Sequence, residues 1–444
     1  MKYFLQCEDC ETQYKPNEMR YRCDVCAGLL EVRHDLKTLV KSVSTKLFNE
    51  RWQATEGPYR SGVWRYHELI LPIKISQIVT RPEGNTNLYA VGQEEKSAFR
   101  KIGEYASLKK FHLKHEGENP TASFKDRGMT VGITQAKILG AKAVACASTG
   151  NTAASLASYA AQSGLPCFVF LPEGKISTSK LAQSVAHGAI TIQLKTDFDG
   201  AMQTVQNVCA ELGIYLLNSI NPFRLEGQKS IAFELLQQLN WKAPDWIVLP
   251  AGNLGNTSAI GKALIEAKQL GLIARLPRIA SIQAQGANPF FRSFQTSFEK
   301  RFIVQAKTIA SAIRIGDPVS FARARQAILE TNGVVESVTD NEILAAKRVI
   351  DQSGIGCEPA SAATLAGARK LVKKKIMKPN QTVAGILTGH LLKDPETAMT
   401  GPNRETGKDI GVVNIDTTQL DRLLEKFLYS KRFLCGLATE GPAK

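Results

Sequence analysis

The amino-acid sequence predicts an α/β fold built on largely parallel sheets. Three observations carry that expectation. Short apolar runs recur between residues 140 and 290, helix-length segments stand between them, and polar turn residues close the runs. Strands separated by helices need crossover connections, which set neighbouring strands parallel.

Taken in order, Ala143-Val144-Ala145-Cys146-Ala147 reads as a buried strand, followed by Ser148-Thr149-Gly150-Asn151 and a helix from Thr152. Further strands are expected at 166–171, 189–194, 214–218, 246–250, 279–283 and 382–387, with helices at 178–187, 199–212, 228–239 and 257–270. Residues 36–105 show turn signals, such as Arg81-Pro82-Glu83-Gly84-Asn85, without a clear period. The basic tail reads as helical around 420–427. Polar loops at three strand ends, 148–152, 252–257 and 388–390, lie where open α/β sheets bind ligands.

Composition narrows the function. The chain has 444 residues, enough for two or three domains, and a formal net charge of +15. The basic residues are spread out, and the densest run, Lys373-Lys374-Lys375, is short. This is the pattern of a solvated surface that attracts small anionic metabolites; no nucleic acid is expected, because no nucleic-acid module accompanies the charge. No apolar run approaches the ~20 residues of a membrane span, so no membrane partner is expected. The N-terminus shows neither signal nor transit features, and cysteine usage suits a reducing compartment, so a cytoplasmic protein is expected.

Cys7-x-x-Cys10 and Cys23-x-x-Cys26 have the layout of a four-cysteine zinc ribbon within residues 1–35. Four thiolates leave no open coordination position, so the zinc would be structural and would replace a core the segment lacks. A ribbon that binds nothing, or disulfides, are the other readings. Cys146, Cys167, Cys209, Cys357 and Cys435 read as packing residues.

Gly252-Asn253-Leu254-Gly255-Asn256-Thr257 joins a strand to a helix, where free backbone N–H groups and the helix dipole can cradle a phosphate. It has neither the P-loop lysine nor the dinucleotide G-x-G-x-x-G spacing. A simple turn with an Asn cap is the alternative. Lys125 follows Pro120-Thr121-Ala122-Ser123-Phe124 and opens a helix at Asp126. A partly desolvated lysine at such a place has a lowered pKa, which suits an imine-forming amine.

The Lys125 segment resembles the lysine motif of fold-type II pyridoxal-phosphate enzymes, most closely the threonine synthases. Five further stretches resemble that family in the same order: 146–152, 218–229, 315–318, Glu358-Pro359-Ala360-Ser361 and Leu387-Thr388-Gly389-His390. The resemblance spans about residues 50 to 400. It implies two parallel-sheet domains of the tryptophan synthase β-like class facing across a cofactor cleft. The smaller would span 106–216, and the larger would combine 40–105 with 217–405, leaving a tail at 406–444. The resemblance also implies a homodimer.

By the same resemblance, Lys125 would be the Schiff-base lysine and proton carrier, and Gly252, Asn253, Leu254, Gly255 and Asn256 would bind the cofactor phosphate. Asn151 would meet the ring hydroxyl and Thr388 the pyridine nitrogen. Ser148, Thr149 and Thr152 would hold the substrate carboxylate, and Thr152, Ser219, Arg224 and Asn253 the substrate phosphate. For each Ser and Thr a helix cap or turn is the plain alternative. The implied reaction converts O-phospho-L-homoserine and water to L-threonine and phosphate. The rival within the class is a cysteate synthase using O-phosphoserine and sulfite; the rival outside it is a basic zinc-ribbon protein that binds nucleic acid or regulates. The chain departs from the family at Ala122 and Leu391, where glycine is common; Leu391 bears on substrate choice, and Ala122 is a small change only where its φ is negative.

Overall fold

The computed structural model describes residues 3–148, 150–172, 178–195, 205–206, 208–209, 211–399, 402–403 and 408–409. The chain forms two compact units, residues 1–395 and 396–444. In the second, an antiparallel pair joins Pro402–Asn403 to Lys408–Asp409. The helix expected near 420–427 and Cys435 lie outside the described residues, as does most of the segment expected to be helical at 199–212.

Strands are numbered along the chain: β1 Tyr3–Cys7, β2 Gln13–Tyr14, β3 Leu30–His34, β4 Leu88–Ala90, β5 Lys110–His115, β6 Ala143–Ala147, β7 Cys167–Pro172, β8 Ile190–Leu194, β9 Ile214–Leu216, β10 Trp246–Pro250, β11 Arg278–Ala284, β12 Val334–Val338 and β13 Thr382–Leu387. A six-stranded sheet runs β12-β11-β10-β13-β5-β4 and a four-stranded sheet β8-β7-β6-β9; all neighbours are parallel except β4 against β5. Every residue of β6 and of β10 is buried, because helices cover both faces and no alternation is needed. A third sheet, β2-β1-β3, is antiparallel and forms the N-terminal module. Among the described residues no helix is long and apolar enough to cross a membrane.

Where structure and expectation differ, side-chain caps and buried charge explain why. The helix expected at 228–239 begins six residues earlier and spans Pro222–Gln238: Asn221 caps it by accepting from the Phe223 N–H, and Pro222 suits its first turn. The strand expected at 214–218 stops at Leu216, since the Asn218 side chain turns to bond both the N–H and the carbonyl of Ala147. The division expected at residue 106 falls ahead of β5, yet β5 pairs with β13 in the six-stranded sheet.

Two helices, Lys125–Ile138 and Pro222–Gln238, cross at glycines. A Cβ on Gly227 would overlap the Arg127 carbonyl oxygen, and one on Gly128 would lie 2.8 Å from that of Arg224. Only glycine allows backbones this close. A buried ionic network locks the crossing. Arg127 gives two bonds to Glu116 (2.6 and 2.8 Å) and two to Glu234 (2.7 and 3.4 Å), which also takes Lys114 at 2.6 Å. Burial opposes the Glu234 charge, but Arg127 and Lys114 overcome it and hold the carboxyl well below the usual range. Glu234→Gln leaves two buried cations with one carboxylate between them, so it is expected to destabilise the fold by about 3–5 kcal/mol. Urea unfolding checks this; a loss below about 1 kcal/mol would show that the network is incidental.

Candidate active site

The loops named from the sequence converge at the carboxyl ends of β6, β9, β10 and β13. Residues 122–124 lie antiparallel to 388–390: Phe124 N–H donates to the Thr388 carbonyl and His390 N–H to that of Ala122, both at 3.0 Å. Asp126 braces the turn ahead of Lys125 by accepting from the Thr121 N–H (2.7 Å) and hydroxyl (2.5 Å) and from Ser155 (2.6 Å). Burial raises the Asp126 carboxyl to about 6. This brace needs Ala122 at φ +63°, so its φ is positive and an L-residue there carries strain. The departure from glycine at 122 is therefore more than a small change.

Lys125 is the first residue of its helix. Its Nζ lies 4.1 Å from the centre of the Phe124 ring. Desolvation, with the Arg224 guanidinium nearby, lowers its pKa to about 7, and Glu358 partly opposes this. Arg224 is buried; one of its nitrogens donates to the Leu217 carbonyl at 3.0 Å and its Nε has no partner among the described residues. Burial lowers its pKa to about 10, so it remains a cation at neutral pH.

The 252–256 loop joins β10 to the next helix. Leu254 adopts φ +64° and precedes the helix Gly255–Gln269, whose N-terminus has no side-chain cap. Its first N–H groups therefore lack intrahelical partners. Gly252 is required by crowding, as a Cβ there would lie 2.9 Å from the Ile313 Cα. Asn256 Oδ1 is buried and has no partner among the described residues. Asn253 donates to Ser219 Oγ at 3.0 Å and accepts from the Val319 N–H at 2.7 Å, so the 315–320 stretch closes the loop from outside.

The helix Asn151–Ser163 likewise starts without a side-chain cap. Ser148 Oγ accepts from the Gly150 N–H at 3.3 Å, Thr152 sits half-buried in the first turn, and Thr149 lies outside the described residues. Asn151 and Thr388 meet on one carboxylate: Asn151 donates to Glu358 at 3.0 Å and Thr388 at 3.2 Å. Burial raises the Glu358 carboxyl. Ser361 accepts from the backbone N–H groups of Thr388 (2.8 Å) and Gly389 (3.0 Å). Glu358 and Ser361 stand in the stretch 358–361, whose pattern was visible in the sequence but whose roles were not. Leu391 packs on Gly356, where a Cβ would overlap its side chain.

A desolvated amine, an uncapped helix start whose Gly252 leaves no room for a side chain, and a buried guanidinium with an unpartnered Nε fit a phosphorylated carbonyl cofactor and an anionic substrate. Fold and site thus define a pyridoxal-phosphate enzyme, and residues 79–389 match the family described as pyridoxal-phosphate dependent enzyme. Among curated proteins, the chain is 46% identical over 399 residues to threonine synthases of Methanosarcina acetivorans and Methanocaldococcus jannaschii, covering 89% of this chain and 94% of each relative. It is 41% identical over 391 residues to Threonine synthase 2, chloroplastic, of Arabidopsis thaliana, covering 86% of this chain and 74% of the relative. The chain belongs to the threonine synthase family. Among solved structures, maize serine racemase superposes with a TM-score of 0.60 at 20% identity, covering 87% of this chain and 98% of that one, which shows the shared fold.

The low pKa has a direct consequence. Below pH 7 the Lys125 amine is protonated and unreactive, and above it the amine is free. The rate at which pyridoxal phosphate attaches to the cofactor-free protein is expected to rise with pH about a midpoint near 7. In Arg224→Ala the midpoint should move up, since a neighbouring cation is lost. A wild-type midpoint near 10 would mean an ordinary solvated lysine.

Proposed function

We propose that this chain catalyses the conversion of O-phospho-L-homoserine and water to L-threonine and phosphate. The observation that carries the proposal is the placement of Lys125 and Arg224 at the starts of two helices that cross at Gly128 and Gly227. An amine that can move protons and a cation that can grip a departing phosphate thereby share one cleft. The relatives matched at 41–46% identity carry the name threonine synthase, which favours this substrate over O-phosphoserine with sulfite.

When bound, pyridoxal phosphate supplies an electron sink for charge developing on the substrate carbon chain. The uncapped Gly255 helix with Gly252, Asn253, Leu254 and Asn256 would hold its phosphate, Lys125 its carbonyl carbon, and Asn151 and Thr388 its ring. Ser148, Thr149 and Thr152 would hold the substrate carboxylate at the Asn151 helix start, where the dipole favours an anion. Lys125 takes the Cα proton and then moves a proton at Cβ, which its pKa of about 7 allows near neutrality. Arg224, with Ser219, Asn253 and Thr152, holds the phosphate on Cγ while it departs, through charge-assisted hydrogen bonds.

The four cysteines hold a structural zinc in this proposal. Their sulfurs lie within 4.8 Å of one another, with Cys7–Cys26, Cys10–Cys23 and Cys10–Cys26 at 3.4 Å. Four sulfurs each ~2.3 Å from a tetrahedral zinc stand about 3.8 Å apart, so little movement is needed. The family resemblance supports a homodimeric, cytoplasmic enzyme.

The test is threonine and phosphate release from O-phospho-L-homoserine, with O-phosphoserine plus sulfite in parallel. Threonine from the first pair alone is expected; cysteate alone would overturn the assignment. Arg224→Ala should lower kcat/KM by about a hundredfold or more, as a desolvated charge contact is lost. Elemental analysis of the purified protein should give about one zinc per chain, lost together in Cys10→Ser and Cys23→Ser variants; a metal-free wild type with full activity would remove the zinc assignment.

A further inference from the structure

The N-terminal module touches the elements that deliver the site. Gln135, on the Lys125 helix, donates to the Pro16 carbonyl at 2.7 Å. Tyr21 Oη accepts from the Leu216 N–H at 2.6 Å, just ahead of Asn218 and Ser219. Arg323 donates to the Leu30 carbonyl at 2.7 Å and pairs with Glu8; its helix, Phe321–Glu330, directly follows Ser320, whose N–H bonds the Asn253 carbonyl at 3.3 Å.

A fully buried tie is at His34, the last residue of β3. Its Nε2 donates to Glu226 Oε2 at 2.7 Å with both side chains buried. Burial, with Lys229 nearby, lowers the His34 pKa, which favours the neutral ring; its Nδ1 has no partner among the described residues. Glu226 lies two residues beyond Arg224 on the same helix. The same carboxylate takes Lys229 and Lys262 at 2.6 Å each, and Lys262 belongs to the helix whose N-terminus is the phosphate cradle. Glu226 thus pins both anion-binding helices and the module at one point. His34, Glu226 and Glu266 approach within metal-ligand range, but the two lysine ammoniums already balance the carboxylates.

We infer that His34 is a positioning residue for the phosphate end of the active site: by holding Glu226 it fixes the turn that presents Arg224, and so makes the four-cysteine module part of the substrate grip. The inference rests on Arg224 binding the substrate phosphate, as proposed above.

The experiment compares wild type, His34→Phe, His34→Ala and His34→Gln as holoenzymes. It measures KM and kcat for O-phospho-L-homoserine, and the affinity of inorganic phosphate by calorimetry. His34→Phe fills the site without a donor and guards against failure of the alanine variant to fold. In both donorless variants KM and the phosphate Kd should rise about tenfold with kcat changed by less than about twofold, and glutamine, an N–H donor, should restore most of the affinity. Unchanged phosphate affinity in His34→Phe, a fall in kcat alone, or no rescue by glutamine would overturn the inference. A wild type that binds phosphate but makes no threonine would defeat the substrate assignment instead, leaving the phosphate arm to judge His34.

Discussion

Two backbone hydrogen bonds, between residues 122–124 and 388–390, hold the site's geometry together. They clip the turn before Lys125 onto the end of β13, the strand at the centre of the larger sheet. The lysine is thereby fixed near Glu358 and the end of β13, with no side-chain hydrogen bond to the described residues. An amine so held loses solvent, and its pKa falls. Asp126 and the strained Ala122 are the local cost of that turn, borne where reactivity is needed.

Buried charge organises the rest. Arg127, Glu116, Glu234 and Lys114 bind the Lys125 helix to β5 and to the Arg224 helix, while Glu226, Lys229, Lys262 and His34 bind the Arg224 helix to the cradle helix and the N-terminal module. Apolar packing alone would leave the sliding of two helices past each other weakly specified. Directed pairs, with glycines at the crossing, fix the register in which Lys125 and Arg224 share a cleft.

The legible parts of the fold are those where burial is uniform. β6, β10 and β13 read correctly because both faces are covered and the runs are continuously apolar. β5, Lys-Phe-His-Leu-Lys-His, escaped notice because its inward Lys114 is neutralised by a glutamate 120 residues away. β12 likewise contains Glu336, paired with Lys374 at 2.6 Å. Site loops were visible as polar segments at strand ends, and the lysine motif through its resemblance to a family. Asp126, Asn218 and Glu358 were not assigned roles, because what they do depends on backbone groups that only the folded chain brings near. The positive φ of Ala122 was equally invisible, since one residue type does not disclose its own dihedral.

The central claim is that one lysine, Lys125, is set apart by its surroundings. Reducing the cofactor-loaded protein with borohydride and mapping the pyridoxyl mass by peptide mass spectrometry tests it most directly. The account predicts a single modified peptide, carrying the label on Lys125. A label on another lysine, or spread over several, would contradict it.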